Sequence, residues 1–450
     1  MIHKLVSPQV LIVSFCLLLC SSSYSQFDSF IQSYDLLSTI AGKGADVDVD
    51  ENHWLEEFEG GKATDAVLSS PHMAMADSIG NVFIADKNAH TIRKVDTKGI
   101  ITTVAGVNKS GDGRDGPATT QALSGPNGLW VSKIGTLYIL DLWNDKVRKV
   151  DTSGQMVTLI HDKAGIVAGR GLWVSQTEDT IWYCSGSVIK IWTEKNGLRL
   201  LADGFSGELG NIVQDRNGNI IATDREANLV YRIDKSGEKT IIAGNGATKG
   251  GGHGLPALQT AFHGVRGVWV LEDNSYFLAT HEGSQVWYVS TGEIAYLFLN
   301  GKKGNKYHEG DGMNFRTPGY KVSEIRAITA DYQGNLLITE NDLGYIRRID
   351  KANSSTKKRE IKTSYKDLIF YQNRSSGITG MQFSFQSSER PLVSIKNLLG
   401  QSLKIPVNYR IISDNHIVEW NNSDLPSGTF LISIQTKNYP AVTKQISIFK

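Results

Sequence analysis

The chain has 450 residues, 40% of them hydrophobic and 21% charged, with 45 glycines and a formal net charge of +1. A balance this close to neutral creates no global field toward nucleic acid or anionic lipid, and no nucleic-acid or dinucleotide motif is present. The length suits one large turn-rich β domain and one small one.

Residues 1–25 read as an export signal. His3 and Lys4 give a basic start, Val10 to Cys20 an apolar core too short to span a membrane stably, and Ser23-Tyr24-Ser25 a small-x-small cleavage site before Gln26. No transmembrane segment is expected in the mature chain. Leu19 is bulky where a lipidation motif needs a small residue, so Cys20 is not expected to carry lipid. With Cys16 and Cys20 removed, Cys184 stands alone and no intramolecular disulfide can form. On the apolar run Ile181 to Cys184 it reads as a small buried hydrophobe.

From Pro71 onward a four-strand unit recurs. Its clearest copy, Pro126 to Ile160, has apolar runs at Gly128–Val131, Thr136–Leu140, Lys146–Val150 and Met156–Ile160, separated by glycine and Asp-Thr-Ser-Gly steps that fit meander turns. The copy before it spans Pro71 to Gly106. Later ones begin near Arg170, Gly210, Arg266 and Arg326, at intervals of roughly 40 to 60 residues, the range of propeller blades. The sixth copy lacks a fourth strand. Ser38-Thr39-Ile40-Ala41-Gly42 near the start reads like Thr102 to Gly106, the outer strand of the first copy, and can complete it. The expected fold is all-β: a six-bladed propeller over residues 26–350 closed by an N-terminal strand, a linker at 351–365, and a small β-sandwich over 366–450.

Gly80 to Asp86, Asn88 to Val95, Ile100 to Gly106 and Gly111 to Ala118 resemble the NHL-repeat family of propellers. The resemblance runs from about residue 35 to 350. It is weakest in the third and fifth copies, whose middle loops are short and whose second strands do not end in an acid.

Residues 366–450 alternate seven short apolar runs with polar turns, the pattern of a sandwich. Val393 to Gln401 and Leu425 to Ile432, with Phe430 where a tyrosine is usual, resemble the type A C-terminal sorting domain of the type IX secretion system. That resemblance implies the type IX machinery as a partner and a Bacteroidetes-type bacterium as the source. The protein is then expected to be secreted or held on the outer cell surface.

Propellers bind where the loop into each inner strand meets the loop joining the second and third strands, and the longest loops, 43–70, 107–125, 245–265 and 300–324, are expected on that face. The residues entering the inner strands are His72, Asn127, Arg170, Gly210, Arg266 and Arg326; those ending the second strands are Asp86, Asp141, Ser185, Asp224, His281 and Glu340. Arg170, Arg266 and Arg326 around one mouth suit a carboxylate, sulfate or phosphate. Alternatively, the acids Asp141, Asp224 and Glu340 neutralise them in a closed ring.

The function expected is binding of an extracellular glycan or protein ligand, with His72, Asn127, Arg170, Arg266, Arg326, His281, Glu340, Asp141 and Asp224 as candidate contacts. The competing class is an enzyme. A lyase on an acidic glycan would use His72 or His281 as base. A lactonase would need a calcium ion on Asp141, Asp224 and Glu340. An amidating-lyase-like zinc site would need more histidines than His72 at the strand entries, with His281 and His263 reaching it only if loops fold inward. The acidic stretch Asp46 to Glu51 lacks the glycine turn of a calcium loop and reads as solvated.

Overall fold

The computed structural model describes residues 27–44, 51–304 and 311–352, and in the C-terminal part 366–373, 378–384, 392–397, 401–403, 406–412, 415–421, 424–436 and 439–448. The export signal, Asp46 to Asp50 of the acidic stretch and most of the linker lie outside these residues. The chain divides into two compact units between residues 352 and 353.

Each repeat makes one antiparallel sheet because short runs rich in Val, Ile, Leu and aromatics are punctuated by side chains that close turns locally. In the first blade Asp96 accepts backbone N–H bonds from Lys98 and Ile100 at 2.8 and 2.9 Å, and Gly99 takes φ +81°. Asp151 with Gly154 and Asp234 with Gly237 repeat the device in the second and fourth blades. An aspartate that satisfies two amides and a glycine that tolerates the left-handed region together fix each third-to-fourth hairpin.

The six sheets of the first unit are the blades. Their inner strands, Pro71–Ala76, Pro126–Val131, Leu172–Val174, Leu209–Gln214, Val265–Val270 and Ile325–Ala330, each touch the next, and the last touches the first, so the ring is closed. Two hydroxyls tie neighbouring blades: Thr223 donates to the Arg266 carbonyl at 2.6 Å and Thr329 to the Ala74 carbonyl at 2.7 Å. The sixth blade is completed as expected by Tyr34–Ala41, which pairs with Tyr345–Lys351 through Leu37 opposite Ile349.

The long loops do more than line a face. Gly116–Pro117, Leu255–Pro256 and Met313–Asn314, which lie within three of them, add short strands to the outer edges of the second, fifth and sixth blades, and Lys62 bridges Ile100 on the first. The expectation that these loops gather wholly at the binding face is corrected accordingly. The physical reason is that an outer strand leaves a row of unpaired amides, and the loop entering a blade is the nearest chain to pair them. The third and fourth blades follow shorter connections, and among the described residues no strand is added to Gly197–Ala202 or Lys239–Ala243.

The ring axis is blocked by indoles. Trp173 of the third blade and Trp269 of the fifth lie 5.9 Å apart edge to face although the fourth blade stands between them, so they meet across the axis. Trp130 joins Trp173 at 6.3 Å. Each of the three follows its strand-entry residue by three positions, which puts the plug about 10 Å below the mouth at roughly 3.3 Å per residue.

The second unit holds two four-stranded antiparallel sheets. In spatial order one is Lys366–Asn373, Ile378–Ser384, Asn415–Asn421 and Asn408–Ile412, and the other Ser402–Leu403, Leu392–Asn397, Gly428–Thr436 and Tyr439–Ile448. Buried Ile417, Val418 and Trp420 come from the first and Ile395, Phe430 and Ile432 from the second. Of the run Leu403 to Val407, Leu403 ends a strand and Lys404 and Ile405 lie outside the described residues, and Asn408–Ile412 forms the next strand.

Candidate functional site

The acids that close second strands are used inside their own blades. Asp86, Asp141 and Glu340 accept bonds from Arg93 at 3.2 Å, Arg148 at 3.1 Å and Arg347 at 3.3 Å, arginines of the third strands. Each acid also accepts a backbone N–H from the loop entering its blade, from Ser69 at 2.6 Å, Ser124 at 2.7 Å and Ser323 at 2.8 Å. The arginines reach on to Asn108, Asp112 and Asp311 of the loops that strap their blades. These are buried clamps joining strand, hairpin and loop. Burial raises Glu340 to about 7 against the pull of Arg347, and raises Asp86 and Asp141 in the same way.

Asp224 has no such arginine, since Tyr231 stands at that register; it is held by the backbone N–H of Ser206 at 2.9 Å and by the Ser206 hydroxyl. Asp141, Glu340 and Asp224 are therefore wall residues with partners of their own. They neither neutralise Arg170, Arg266 and Arg326 nor gather around an ion, and among the described residues no three of His, Cys, Asp or Glu make a metal-holding group. The calcium ion that a lactonase would need on these acids is not served by this pairing, and among the described residues neither His281 nor His263 joins His72 in a zinc set.

The strand-entry residues are placed by bulges. Pairing of the inner with the second strand skips one residue between Pro71 and Met73, Pro126 and Gly128, Val265 and Gly267, and Ile325 and Ala327, so His72, Asn127, Arg266 and Arg326 are the extra residues; the fourth blade skips Gly210 and Asn211. A bulge turns its side chain off the sheet face, a common way to aim a group at a site. Close packing of the ring helps: a Cβ on Gly128 would lie 2.7 Å from the Arg170 carbonyl oxygen, and one on Gly210 2.4 Å from that of Arg266. Only glycine lets the inner strands approach so far.

At this mouth Arg170 Nη1 and Arg266 Nη2 stand 3.9 and 4.0 Å from Glu208 Oε2, while Arg225 Nε donates to the same oxygen at 2.5 Å. Arg225 also donates to Glu282 at 3.2 Å, and Lys303 spans Glu282 and Glu324 at 3.0 and 3.2 Å. Arg326 donates to Asn341 Oδ1 at 2.6 Å. Burial, with Arg170 and Arg225 adding repulsion, lowers Arg326 to about 9, still cationic at neutral pH. His72 is buried, and burial with nearby Arg326 holds its pKa well below the ordinary range. Its Nδ1 lies 2.9 Å from the Ser70 carbonyl, so Nδ1 carries the proton and Nε2 the lone pair.

His281 lies one residue past the strand end, which the pairing of Val265 with Thr280 puts at Thr280. It stands 3.7 Å from Glu282 and 3.8 Å from Glu324, and burial lowers it to about 4. The placement of His281 as the last residue of the strand is thus corrected by one position, because the hairpin register and not the hydropathy run sets the end.

Buried polar atoms without a hydrogen-bond partner concentrate here: Asn127 Oδ1, Arg170 Nε, Asn211 Nδ2, Arg266 Nε and Nη1, His281 Nδ1, Arg326 Nε, Asn341 Nδ2 and Asp342 Oδ1. Most are donors. Glu208, Arg225, Asn211 and Asn341 escape a reading that takes only strand entries and strand ends. Arg225, His281 and Asn341 do follow the last residues of three second strands directly, a signal present in the aligned repeats.

Residues 36–113 match the family model of the Teneurin NHL domain. Over those residues the chain is similar to an NHL-repeat domain. Teneurin-1 of Gallus gallus is 27% identical over 234 residues, 48% of this chain and 8% of that protein's own length. Protein SUPPRESSOR OF QUENCHING 1, chloroplastic, of Arabidopsis thaliana is 30% identical over 110 residues, 24% of this chain and 10% of that protein. Among solved structures, a protein of unknown function from Bacteroides thetaiotaomicron superposes with a TM-score of 0.55 at 14% identity, covering 70% of this chain and 75% of that one. An auxiliary nutrient binding protein from the same organism superposes with 0.53 at 13%, covering 71% and 77%. At these identities the likeness is one of fold.

Proposed function

We propose that the protein is an exported NHL-repeat propeller that binds an extracellular glycan or protein ligand at the mouth of its ring, without covalent chemistry. The observation that carries this reading is the concentration of unpartnered buried donors on Arg170, Asn211, Arg266, Arg326 and Asn341. Buried donors left unmade cost roughly 1–3 kcal/mol each, and they are retained where a ligand supplies the acceptors. The auxiliary nutrient binding protein of similar fold is in keeping with a binding role. The test is calorimetric titration of the mature full-length protein with acidic and neutral polysaccharides. Binding should weaken with salt and fall at least tenfold in Arg266→Ala, about the worth of one charge-assisted contact. Equal affinity of the variant and the wild type removes the mouth as the site.

The export route belongs to the same proposal. Leu425 and Phe430 of the sorting-domain signature are buried, and Asn397 and Gln401 are joined by a backbone bond of 3.0 Å and a side-chain bond of 2.7 Å. This is how short signature residues hold a compact fold. Deleting residues 366–450 should leave the propeller in the periplasm; undiminished appearance of the truncated protein outside the cell counts against type IX export.

The geometry of His72 favours a second reading. Its neutral Nε2 lone pair beside Arg326 has the form of a general base next to a carboxylate-neutralising cation, as a lyase on an acidic glycan requires. If that reading holds, acidic polysaccharide gains unsaturated ends absorbing in the ultraviolet, and His72→Ala abolishes the gain while keeping the binding.

A further inference from the structure

Arg266 is 1% exposed and its Nε and Nη1 have no partner. Among the described residues its one carboxylate within 4.0 Å is Glu208, at 4.0 Å and beyond hydrogen-bond reach. Glu208 itself is engaged by Arg225, which is in turn steadied by Glu282. So one carboxylate is bonded to the guanidinium nearer solvent and serves two deeper ones, Arg170 and Arg266, only at a distance. Arg326 donates to an amide oxygen, with the carboxylate of Asp342 near enough to attract it but not bonded to it. A desolvated guanidinium without a bonded anion is unfavourable, so these donors call for an acceptor that the described residues do not supply. The orphaned amide groups of Asn211 and Asn341 and the free carbonyl of Asn127 flank them. Neutral groups of both polarities beside a bidentate cation suit hydroxyls beside a carboxylate.

Resting on the reading of the mouth as a binding site, we propose that its ligand is a hydroxylated carboxylate, of the sugar-acid class, whose carboxyl group docks on Arg266 and Arg170, the two guanidinium groups that stand around one oxygen of Glu208. Glu208 competes with that carboxyl group for Arg266 and Arg170 and so sets the affinity. It is a specificity residue that holds the arginines partly neutral and rejects weakly binding anions.

The experiment is calorimetry on the mature full-length protein with D-galacturonate, D-galactose and sulfate as probes, for wild type, Glu208→Gln and Arg266→Met. Removing one competing charge should tighten galacturonate binding by roughly tenfold in Glu208→Gln, and galactose should gain nothing. Unchanged or weaker galacturonate binding in Glu208→Gln overturns the proposal, as does sulfate binding as tightly as galacturonate. If Arg266→Met loses binding while Glu208→Gln is unchanged, the mouth stands as the site and the competition falls. If Arg266→Met binds like wild type, both fall. Should wild type bind none of the probes, thermal melting decides: sodium acetate must raise the melting temperature of Glu208→Gln more than that of wild type, relative to equal sodium chloride, and an equal rise overturns the proposal. Glu208→Asp, a shorter acid drawn back from Arg266, gives the same direction with a smaller effect if Glu208→Gln does not fold.

Discussion

Two sets of buried arginines stand in one ring and differ in how they are answered. Arg93, Arg148 and Arg347 each have a carboxylate of their own blade within 3.3 Å, and each reaches a further side-chain oxygen on a strapping loop. Among the described residues, Arg170, Arg266 and Arg326, one strand-entry residue per blade, have between them the edge of Glu208, the Ala168 carbonyl at 3.4 Å, the amide of Asn341 and the unbonded attraction of Asp342. Every arginine of the first set is bonded to a carboxylate, and the set holds the fold. The second is incomplete, and an incomplete buried cation is the mark of a surface built for something else.

The contrast can be broken most directly at a clamp. Arg148→Ala leaves Asp141 buried and unpaired, and should cost about 3–5 kcal/mol of unfolding free energy in a denaturant titration. A loss below about 1 kcal/mol would mean that the clamps are not what holds strand to loop. The next effect is expected from pH. Burial holds His281 at about 4 against an ordinary 6.5, so the unfolded chain takes up its proton first; the stability this gives is full above pH 6.5 and lost as pH falls toward 4, at most about 3 kcal/mol. Glu340, raised to about 7 from 4.5, acts in the opposite sense: its contribution is full below pH 4.5 and lost as pH rises through 7. Stability measured across pH 4–7 should therefore rise less steeply with pH in His281→Gln than in wild type, and more steeply in Glu340→Gln. The smallest change in stability is expected at the mouth. Arg266→Met should shift unfolding by no more than about 1 kcal/mol, toward higher stability if at all, because an apolar chain of similar length replaces an unanswered charge. A loss as large as that of Arg148→Ala would erase the distinction between the two sets.

Much of the ring was legible because its determinants are local. The strands Val82–Asp86, Thr91–Val95, Ile101–Ala105, Lys146–Val150 and Leu229–Ile233 fall where hydropathy and turn residues put them, and the likeness of Ser38 to Gly42 to an outer strand anticipates the closure. The site was legible in part. Alignment of the repeats picks out Arg170, Arg266 and Arg326 as strand-entry residues, but not that bulges carry two of them off the sheet. The acids that look like their partners are taken by arginines seven residues further along the chain, a pairing that depends on cross-strand register. Glu208 could not be weighed at all, because it lies in an unremarkable connection before the fourth blade and gains its meaning from three other residues, Arg170, Arg225 and Arg266, on as many sheets.

By itself, then, the sequence determined the repeat, the number of blades and the way the ring closes, since each hairpin is specified by residues a few positions apart. The tertiary structure alone decided which charges are answered and which are left over. Ion pairing in a closed ring depends on distances between residues of different blades, and no local pattern records those.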